Sequence, residues 1–240
     1  MTDTLAISVK ELSFKYPNQH DEVLEAISFQ IHKGDKVALM GLNGSGKSTL
    51  LKLLVGLEKA SAGSVWIGNT LVNQATIKEI QQRVGYIFQN ADDQLFMPTV
   101  YEDVAFGIRQ LYSGEALTLK VETLLSKMSL NHLKDKAPFQ LSGGEKRAVA
   151  IATVLIMSPE IILMDEPSEG LDAKMRRKII SLINSRDETF VISTHDENLV
   201  KKTCNKVIIL EKGRIIGVFD TKILFENVNL LTKYALIDVE

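Results

Sequence analysis

Apolar and polar residues alternate over two stretches near the start of the chain, as they do in strands that bury one face. These stretches, residues 5–16 and 24–31, predict two half-buried strands. A nearly continuous apolar run at 36–42 predicts a fully buried strand, and residues 47–56 behind it have helical spacing. Another apolar strand is expected at 83–89. The first third is therefore predicted to be rich in strands, one of which leads directly into a helix.

The pattern changes at residues 90–158, where at least three segments with helical spacing follow one another. Strand and helix signals alternate again after this block. The later predicted elements are strands at 161–166 and 191–194, helices beginning at 173 and 196, a hairpin at 206–219 and a final helix at about 221–235. Such alternation favours an α/β fold with a mainly parallel sheet. We therefore predict an α/β core formed by residues 1–89 and 159–240, with an antiparallel β region near its N-terminus and a helical subdomain inserted at about 90–158.

The composition is that of a globular protein. Of the 240 residues, 45% are hydrophobic and 24% are charged, and the formal net charge is −2, which argues against disorder and against non-specific binding of nucleic acid. No cationic segment followed by an apolar one begins the sequence, so no signal peptide is expected. The longest apolar stretch, 148–157, is shorter than the roughly 18–20 residues that span a bilayer. We expect a soluble chain without a nucleic-acid partner; if it works at a membrane, it does so through other proteins.

Residues 41–49 match the pattern G-x-x-x-x-G-K-[ST] and stand between the buried strand and the predicted helix, which is the context this motif requires. Its glycines let successive backbone N–H groups face a phosphate, and the helix N-terminus adds partial positive charge. A glycine-rich turn with an exposed lysine is the alternative, and it does not explain why every fixed position is matched. The expected nucleotide contacts are Asn43, Gly44, Ser45, Gly46, Lys47, Ser48 and Thr49. We therefore predict the core of a P-loop nucleoside triphosphatase, with Lys47 on the phosphates and the Ser48 hydroxyl on Mg²⁺.

The apolar strand predicted at 161–166 ends in two carboxylates, Asp165 and Glu166. A carboxylate at the end of a strand beside the P-loop strand can hold Mg²⁺, and Asp165 is placed for that role. Glu166 points differently because successive strand residues alternate between faces, and it is a candidate for orienting the attacking water. Many strands end in acidic turns, so this motif indicates an active site only in combination with the phosphate loop.

Ser142, Gly143, Gly144 and Glu145 precede an apolar helix. Ser142 and Glu145 have the spacing of an ordinary capping box, which is expected as local structure. The capping box does not explain two adjacent glycines at a helix N-terminus, since each costs about 0.5–1 kcal/mol when ordered in a helix. Backbone N–H groups free of side chains suit a second contact with an anion.

The motifs together resemble those of ABC-type ATPases, and the resemblance covers essentially the whole chain. The motifs that carry it, in chain order, are the loop at 41–49, Leu141-Ser142-Gly143-Gly144-Glu145, the strand ending in Asp165-Glu166, the turn Gly170-Leu171-Asp172, and Ser193-Thr194-His195. The resemblance implies an ATP- and Mg²⁺-dependent ATP hydrolase that pairs head to tail with a second ATPase subunit, identical or related. In such a pair, Ser142, Gly143 and Gly144 of one subunit complete the nucleotide site of the other.

Further roles follow from the same resemblance. Tyr16 is similar to the aromatic residue that stacks on adenine, and Gln89 to the glutamine that senses Mg²⁺ and water. Glu166 is similar to the catalytic base, Asp172 to the residue that reaches across the dimer, and His195 to the γ-phosphate sensor. Each has a plainer alternative: an edge-strand tyrosine, a polar residue at a strand end, or a structural histidine. The expected Mg²⁺ ligands are thus Ser48, Gln89 and Asp165.

The segment 89–107 resembles the ATPases of energy-coupling factor (ECF) importers, including the cobalt and nickel uptake group. In that family a transmembrane coupling subunit, which acts with a substrate-binding membrane subunit, docks on this region. Apolar side chains here would line a groove with an acidic rim that suits a basic, amphipathic helix; alternatively, they pack the core of the insertion itself. The predicted groove consists of Leu95, Phe96, Met97 and Phe106, rimmed by Asp92, Asp93 and Asp103.

The sequence departs from the family pattern at four positions, none of which is a phosphate or Mg²⁺ ligand. Ala91, Glu145, Ala148 and Glu169 stand where Pro, Gln, a basic residue and Ser or Ala are common. The sequence ends soon after the last predicted helix, which favours the metal-uptake branch over the vitamin branch. We therefore expect an ATPase subunit at the cytoplasmic face of the cell membrane that powers import of a transition metal ion such as cobalt or nickel. A vitamin importer and a soluble, non-transport ABC ATPase remain the alternatives.

Overall fold

The computed structural model describes residues 4–17 and 21–233. The strands are β1 (Leu5–Phe14), β2 (Leu24–His32), β3 (Lys36–Met40), β4 (Ala62–Ile67), β5 (Thr70–Leu71), β6 (Val84–Ile87), β7 (Ile161–Asp165), β8 (Thr189–Ser193), β9 (Lys206–Glu211) and β10 (Arg214–Asp220). The helices are α1 (Lys47–Leu54), α2 (Ile77–Arg83), α3 (Val100–Phe106), α4 (Gly114–Lys127), α5 (Gly143–Leu155), α6 (Ala173–Asn184), α7 (Glu197–Thr203), α8 (Thr221–Glu226) and α9 (Val228–Lys233).

The larger sheet has the strand order β10-β9-β3-β8-β7-β6. All neighbouring strands from β9 to β6 run parallel, and only the pair of β10 with β9 is antiparallel. Since parallel strands share one carboxyl edge, the residues that follow β3, β6, β7 and β8 are brought together there. This arrangement positions the candidate site.

Both faces of the larger sheet are covered. Val37 and Leu39 of β3 face a cluster that contains α1 and the smaller sheet, whereas Ala38 and Met40 face a cluster that contains α6 and α7. This alternation follows from the period of two residues in a strand. The near-continuous apolar run in β3 is therefore explained by burial on both faces.

The smaller sheet has the order β2-β1-β4-β5 and is antiparallel throughout. Apolar residues of β1 and β2 alternate with polar ones, and the apolar set packs on the α1 side of the molecule. The smaller sheet thus covers the helix that follows β3. The predicted α/β fold, with a mainly parallel sheet, an antiparallel N-terminal region and inserted helices, is confirmed.

Helices and short 3-10 turns occupy the chain between β6 and β7, around a separate apolar cluster of buried residues. Contacts to α5 hold the first part of this region in place. Lys146 Nζ donates to Asp92 at 2.6 Å, and Gln94 Nε2 donates to the Ala150 carbonyl at 2.7 Å. The segment that follows β6 is therefore coupled to the helix that begins at Gly143.

The predicted final helix at 221–235 is wrong as one element. Two helices, α8 and α9, occupy this stretch as far as Lys233, and Asn227 lies between them; positions 234 and 235 lie outside the described residues. The break is explained by Asn227, because its side-chain oxygen accepts a hydrogen bond from the backbone N–H of Leu230 and so begins a new helix. Among residues 4–17 and 21–233, no helix combines the length and apolar character needed to span a bilayer.

Candidate active site

The loop between β3 and α1 wraps around the space in front of the α1 N-terminus. Gly41 and Gly46 have φ angles of 149° and 103°, which favour glycine. A Cβ atom at Gly41 would lie 2.0 Å from the Leu210 carbonyl oxygen, and one at Gly46 would lie 2.7 Å from Cδ2 of Leu24. Gly41 is required because both its backbone conformation and the backbone of Leu210 exclude a side chain, and Gly46 is required chiefly because of its backbone conformation.

Lys47 is the first residue of α1 and is 7% exposed. Its Nζ donates to the carbonyl oxygens of Gly41 and Leu42 at 2.8 and 3.2 Å. Burial lowers the pKa of the Lys47 ammonium, and the negative charges of Glu166 and Asp165 oppose that change. The ammonium group is therefore held at the loop by its own backbone, beside two carboxylates, in a position that suits a phosphate contact.

Asp165 is the last residue of β7 and accepts hydrogen bonds from three hydroxyl groups. Ser48 donates to Oδ1 at 3.0 Å, Tyr86 donates to Oδ2 at 3.1 Å, and Ser193 also donates to Oδ1. Asp165 is 3% exposed, so these contacts compensate for the burial of its charge. The carboxylate of Asp165 and the hydroxyl of Ser48 are thereby fixed next to each other.

Glu166 leaves β7 with a φ of 43°, an uncommon value for a residue with a side chain, and such strain is concentrated at functional sites. Its backbone N–H donates to the carbonyl and hydroxyl oxygens of Ser193 at 3.0 and 3.2 Å. The Oε2 atom is buried without an aligned hydrogen bond from the described residues, although Nδ1 of His195 lies 3.1 Å away. A buried carboxylate oxygen with unused acceptor capacity suits binding and orienting a water molecule.

A cavity of about 470 Å³ lies in front of these groups. Its lining residues are Tyr16, Val23, Asn43, Gly44, Gly46, Lys47, Ser48, Thr49, Gln89, Glu166, Glu169 and His195. Most of the residues predicted for nucleotide binding and catalysis are therefore brought to one cavity at the carboxyl edge of the parallel strands. Asp165 lies behind its wall and reaches it through Ser48.

Tyr16 and Gln89 enter the cavity from different sides. The Tyr16 hydroxyl lies 3.2 Å from Oγ1 of Thr49, and the Tyr16 ring packs edge-on against Phe14 with centroids 4.7 Å apart. Gln89 follows β6, and its Nε2 donates to Oε2 of Glu169 at 2.7 Å. Tyr16 therefore lies next to the phosphate loop, and Gln89 lies on the side of the two glutamates.

Besides Ser45, which is buried within the phosphate loop, four residues predicted for nucleotide binding are not among the described residues that line this cavity: Ser142, Gly143, Gly144 and Asp172. Ser142 caps α5: its hydroxyl donates to Glu145 Oε2 at 2.8 Å and accepts from the Glu145 N–H at 3.4 Å. The N–H group of Ser142 lowers the pKa of the Glu145 carboxyl group by donating to it. Asp172 caps α6, accepting from the Met175 N–H at 2.7 Å. The predicted capping box is therefore present, and these four residues lie outside the cavity that the phosphate loop lines.

Residues 24–169 of this chain match the family model described as ABC transporter. The chain belongs to the ABC transporter family. As a subunit of this family, it is an ATP-binding protein with the mixed α/β fold of ABC ATPases. The match begins at the start of β2, includes the phosphate loop and the helical region, and ends in the turn after β7.

Curated relatives support the same assignment along almost the full chain. A protein of Geobacter sulfurreducens named "Putative ABC transporter ATP-binding protein" is 45% identical over 94% of this chain and 90% of its own length. A protein of Streptomyces coelicolor with the same description is 39% identical over 96% of this chain and 89% of its own.

Solved structures of ABC ATPases are also similar. CbiO1 of Clostridium perfringens, described as part of the ABC transporter complex cbiONQ, is 32% identical with a TM-score of 0.82 and covers 97% of this chain and 95% of its own. The ATP-binding cassette MJ0796, solved as a dimer in a post-hydrolysis state with ADP and Pi, is 29% identical with a TM-score of 0.81 and covers 90% of this chain and 98% of its own.

The residues of this ABC subunit fit Mg²⁺ in a nucleotide complex. The hydroxyl of Ser48 and the carboxylate of Asp165 are hard oxygen donors fixed 3.0 Å apart, and Mg²⁺ prefers one or two such groups together with phosphate oxygens and water. Among the described residues, no group of three or more His, Cys, Asp or Glu side chains could hold a metal by itself. The donor set therefore suits a metal ion that arrives with a nucleotide.

Tyr86 was missed as a site residue from the sequence, and Ser193 was noted only as part of a motif, without a role. Burial and the negative charge of Asp165 both raise the pKa of the Tyr86 phenol, so it stays a proton donor to that carboxylate. Ser193 connects the Asp165 carboxylate with the Glu166 backbone. A hydroxyl-bearing residue inside an otherwise apolar strand indicates that its side chain has a buried hydrogen-bond partner. Periodicity does not identify that partner.

The docking groove considered for this segment needs correction, and the alternative, packing within the insertion itself, holds for Leu95. Asp103 is 3% exposed, and its Oδ1 accepts from the N–H groups of Phe96 and Met97 at 3.1 and 3.0 Å, so it is a structural residue and not part of a rim. Leu95 is 7% exposed and belongs to the core of the helical region. Phe96 and Phe106 are exposed and meet edge to face with centroids 5.0 Å apart. An aromatic surface pair thus replaces most of the predicted groove.

Proposed function

We propose that this ABC subunit binds and hydrolyses ATP to power a membrane importer of the ECF type, for a transition metal ion such as cobalt or nickel. The observation that best supports ATP hydrolysis is the convergence at one cavity of Lys47, Ser48, Asp165 and Glu166. Phosphoryl transfer needs mainly positioning and charge stabilisation. These residues supply a cation for the phosphates, oxygen donors for a metal ion and an acceptor for the water proton.

Within one subunit each residue has a separate task. Tyr16 holds the adenine, and Asn43 to Thr49 hold the phosphates with backbone N–H groups and the Lys47 charge. Ser48, Asp165 and Gln89 would hold Mg²⁺, which would neutralise phosphate charge when bound. Glu166 orients the attacking water, and His195, next to it, contacts the γ-phosphate.

The site is completed by a second ATPase subunit, identical or related. Ser142, Gly143 and Gly144 of one subunit bring the bare N-terminus of α5 to the phosphate held by Lys47 of the other, and Asp172 lies at the same interface. The location of these four residues away from the single-chain cavity supports this pairing. The dimeric state of the similar cassette MJ0796 also supports it.

The exposed pair Phe96 and Phe106 is the proposed contact for the membrane protein. Both aromatic side chains belong to the helical region, which is tied to α5 through Lys146 and Asp92. A transmembrane coupling subunit that contacts this pair would therefore be linked, through Asp92 and Lys146, to the first turn of the helix that begins at Gly143. The ATPase would be peripheral at the cytoplasmic face, as part of a complex with a coupling subunit and a substrate-binding subunit.

Metal import is favoured by the likeness to CbiO1, which is part of the cbiONQ complex. The whole chain would then be one ATPase domain, with core segments 1–89 and 159–240 and a helical subdomain at about 90–158. Vitamin import by an ECF-type complex is the second candidate, because the ATPase itself does not bind the transported molecule.

The experiment is purification of the ATPase with its membrane partners from detergent-solubilised membranes, followed by reconstitution into vesicles. ATP-dependent uptake of radiolabelled cobalt or nickel, lost in the Glu166→Gln variant, is the expected result. Uptake of a vitamin instead would show that the transported substrate is a vitamin and not a metal ion. Co-sedimentation with ribosomes and no membrane partner would overturn the transport role while leaving ATP hydrolysis in place.

A further inference from the structure

Gln89 is held by two other segments of the chain, and this arrangement depends on Glu169, one of the four positions at which the sequence departs from the family pattern. Its side-chain Nε2 donates to Oε2 of Glu169 at 2.7 Å. Glu169 lies in the turn after β7, where its N–H donates to the Glu166 carbonyl oxygen at 3.2 Å. Gln89, Glu166 and Glu169 all line the same cavity. The residue proposed to face the metal and the proposed catalytic carboxylate are therefore connected through Glu169.

Arg147 of α5 fixes the backbone of the same segment. Its guanidinium group donates to the carbonyl oxygens of Phe88, at 2.6 Å, and of Gln89. Burial lowers the pKa of Arg147, and among the charges that oppose this change Glu169 is the largest contributor, ahead of Asp165. The Gln89 backbone is thus held from α5, and its side chain is held from the turn after β7.

The donor and acceptor atoms of the Gln89 amide determine how the hydrogen bond to Glu169 orients it. An ionised carboxylate only accepts hydrogen bonds, so the NH₂ group of Gln89 has to face Glu169. The amide oxygen, which is the only atom of this group that can bind a cation or accept from water, is then directed away from Glu169. Without the carboxylate, the amide can turn by half a rotation and present its NH₂ group instead, which a metal ion would repel.

We propose that Glu169 is a positioning residue that holds the Gln89 amide with its oxygen available to Mg²⁺ and its water. The proposal rests on the proposed metal-facing role of Gln89. Partners that orient a metal ligand typically contribute 10–100-fold to metal affinity or activity. Both side chains are exposed, so the lower end of that range, about tenfold, is expected here.

The test measures Mg²⁺ dependence in two ways. Binding of a fluorescent ATP analogue is titrated with Mg²⁺ in the hydrolysis-deficient Glu166→Gln background, and ATP turnover is titrated with Mg²⁺ in the background with Glu166 intact. Glu169→Ala is expected to raise the half-saturating Mg²⁺ concentration about tenfold in both assays, with unchanged analogue binding in the absence of Mg²⁺. Glu169→Gln is expected to restore only part of the loss, because its side-chain oxygen still accepts from Gln89 while its NH₂ group also permits the reversed amide.

Two comparisons make the result specific. In a Gln89→Ala background, Glu169→Ala is expected to have no further effect, since it acts through the amide. Glu122→Ala, which removes an exposed carboxylate bonded to Lys134 at 2.9 Å in the helical region, is the matched control and should leave Mg²⁺ dependence unchanged.

Several results would overturn the proposal. An unchanged or lowered Mg²⁺ requirement in Glu169→Ala, an equal loss in Glu169→Gln, or an additive effect with Gln89→Ala would each do so. If the unmodified chain hydrolyses ATP and Glu166→Gln does not, such a result removes only the role of Glu169. If the unmodified chain fails to hydrolyse ATP, the proposed function fails instead.

Discussion

Nδ1 of His195 lies 3.1 Å from Oε2 of Glu166, and the two side chains differ sharply in exposure, at 65% and 8%. The histidine follows β8 and the glutamate follows β7, which are neighbouring parallel strands. Their contact is therefore a consequence of strand order and not of proximity in sequence. The glutamate is shielded, and the histidine reaches outward from it into the cavity.

Replacing Glu166 by Gln is expected to abolish turnover while leaving ATP binding intact. The amide keeps the size of the side chain but accepts a proton poorly, and removal of a general base costs at least about 100-fold. Phosphate release measures turnover, and retention of a fluorescent ATP analogue measures binding. Near-normal turnover would remove Glu166 from the role of base.

The substitution Tyr86→Phe should weaken the metal site without leaving a cavity in the core. Tyr86→Phe removes the hydroxyl that donates to Asp165 Oδ2 at 3.1 Å. A hydrogen bond to a buried charge contributes about 1.5–3 kcal/mol, so chemical denaturation should show a loss of that order. The half-saturating Mg²⁺ concentration for turnover should rise about tenfold, since Asp165 is less firmly oriented.

Tyr101→Phe is the matched control for this change. It also removes one phenol hydroxyl, which lies 3.1 Å from Oγ1 of Thr118 on the surface of the helical region. Its Mg²⁺ dependence should equal that of the unmodified chain. If Tyr86→Phe and Tyr101→Phe have the same Mg²⁺ dependence, Tyr86 has no influence on the metal site.

Gly143→Ala tests the composite site without disturbing the single chain. A Cβ atom at Gly143 would meet no heavy atom within 4 Å in the described part of the chain, so the melting temperature should not fall. If α5 approaches a phosphate of a second subunit, the added methyl group would displace that contact, and a shift of about 1 Å can cost about 100-fold.

The measurement is ATP-dependent dimerisation by size-exclusion chromatography, in the Glu166→Gln background that retains ATP. Glu166→Gln alone should elute as a dimer with ATP, and the variant that also carries Gly143→Ala should elute as a monomer with ATP still bound. Dimers of equal stability in both proteins would show that Gly143 does not face the partner nucleotide.

The sequence was sufficient to predict the elements that carry the site. The buried strand before Gly41 and the strand ending in Asp165 both have apolar runs that fit a parallel sheet buried on both faces. The loop motif then locates the phosphate side of that sheet. The confirmed fold and family rest on these patterns, whereas the roles assigned to individual site residues stay predictions.

Pairing of side chains across distant segments could not be predicted in the same way. Tyr86 and Asp165 are brought together by strand order, and periodicity reports which face a residue occupies but not its neighbour. Asp103 was expected on an acidic rim, yet it is buried because two backbone N–H groups of the preceding turn bind its carboxylate. The sequence alone does not distinguish a carboxylate that binds nearby backbone N–H groups from one that is exposed on the surface.

Asp35 is expected to make the stability of the fold depend on pH. It stands just before β3, and its carboxylate accepts from Lys206 Nζ at 2.7 Å, from Asn205 Nδ2 at 2.8 Å and from the His32 N–H at 3.0 Å. Burial alone would raise the pKa of Asp35, but these hydrogen bonds and the Lys206 charge outweigh it and lower that pKa below 3.8. The ionised form therefore stabilises the folded state.

The sign of the effect follows from that direction. The contribution of Asp35 to the free energy of unfolding is complete above pH 3.8 and is lost as the pH falls through the lower pKa of the folded state. Asp35→Asn should therefore destabilise the protein at neutral pH, by about 1–2 kcal/mol for hydrogen bonds to a half-buried charge. Thermal unfolding across this pH range should show the two proteins converging in acid.

Asp187→Asn, at an exposed carboxylate of the α6–β8 turn, is the matched control and should parallel the unmodified chain. A constant difference between Asp35→Asn and the unmodified chain at all pH values would mean that the Asp35 side chain stabilises the turn by shape and not by charge.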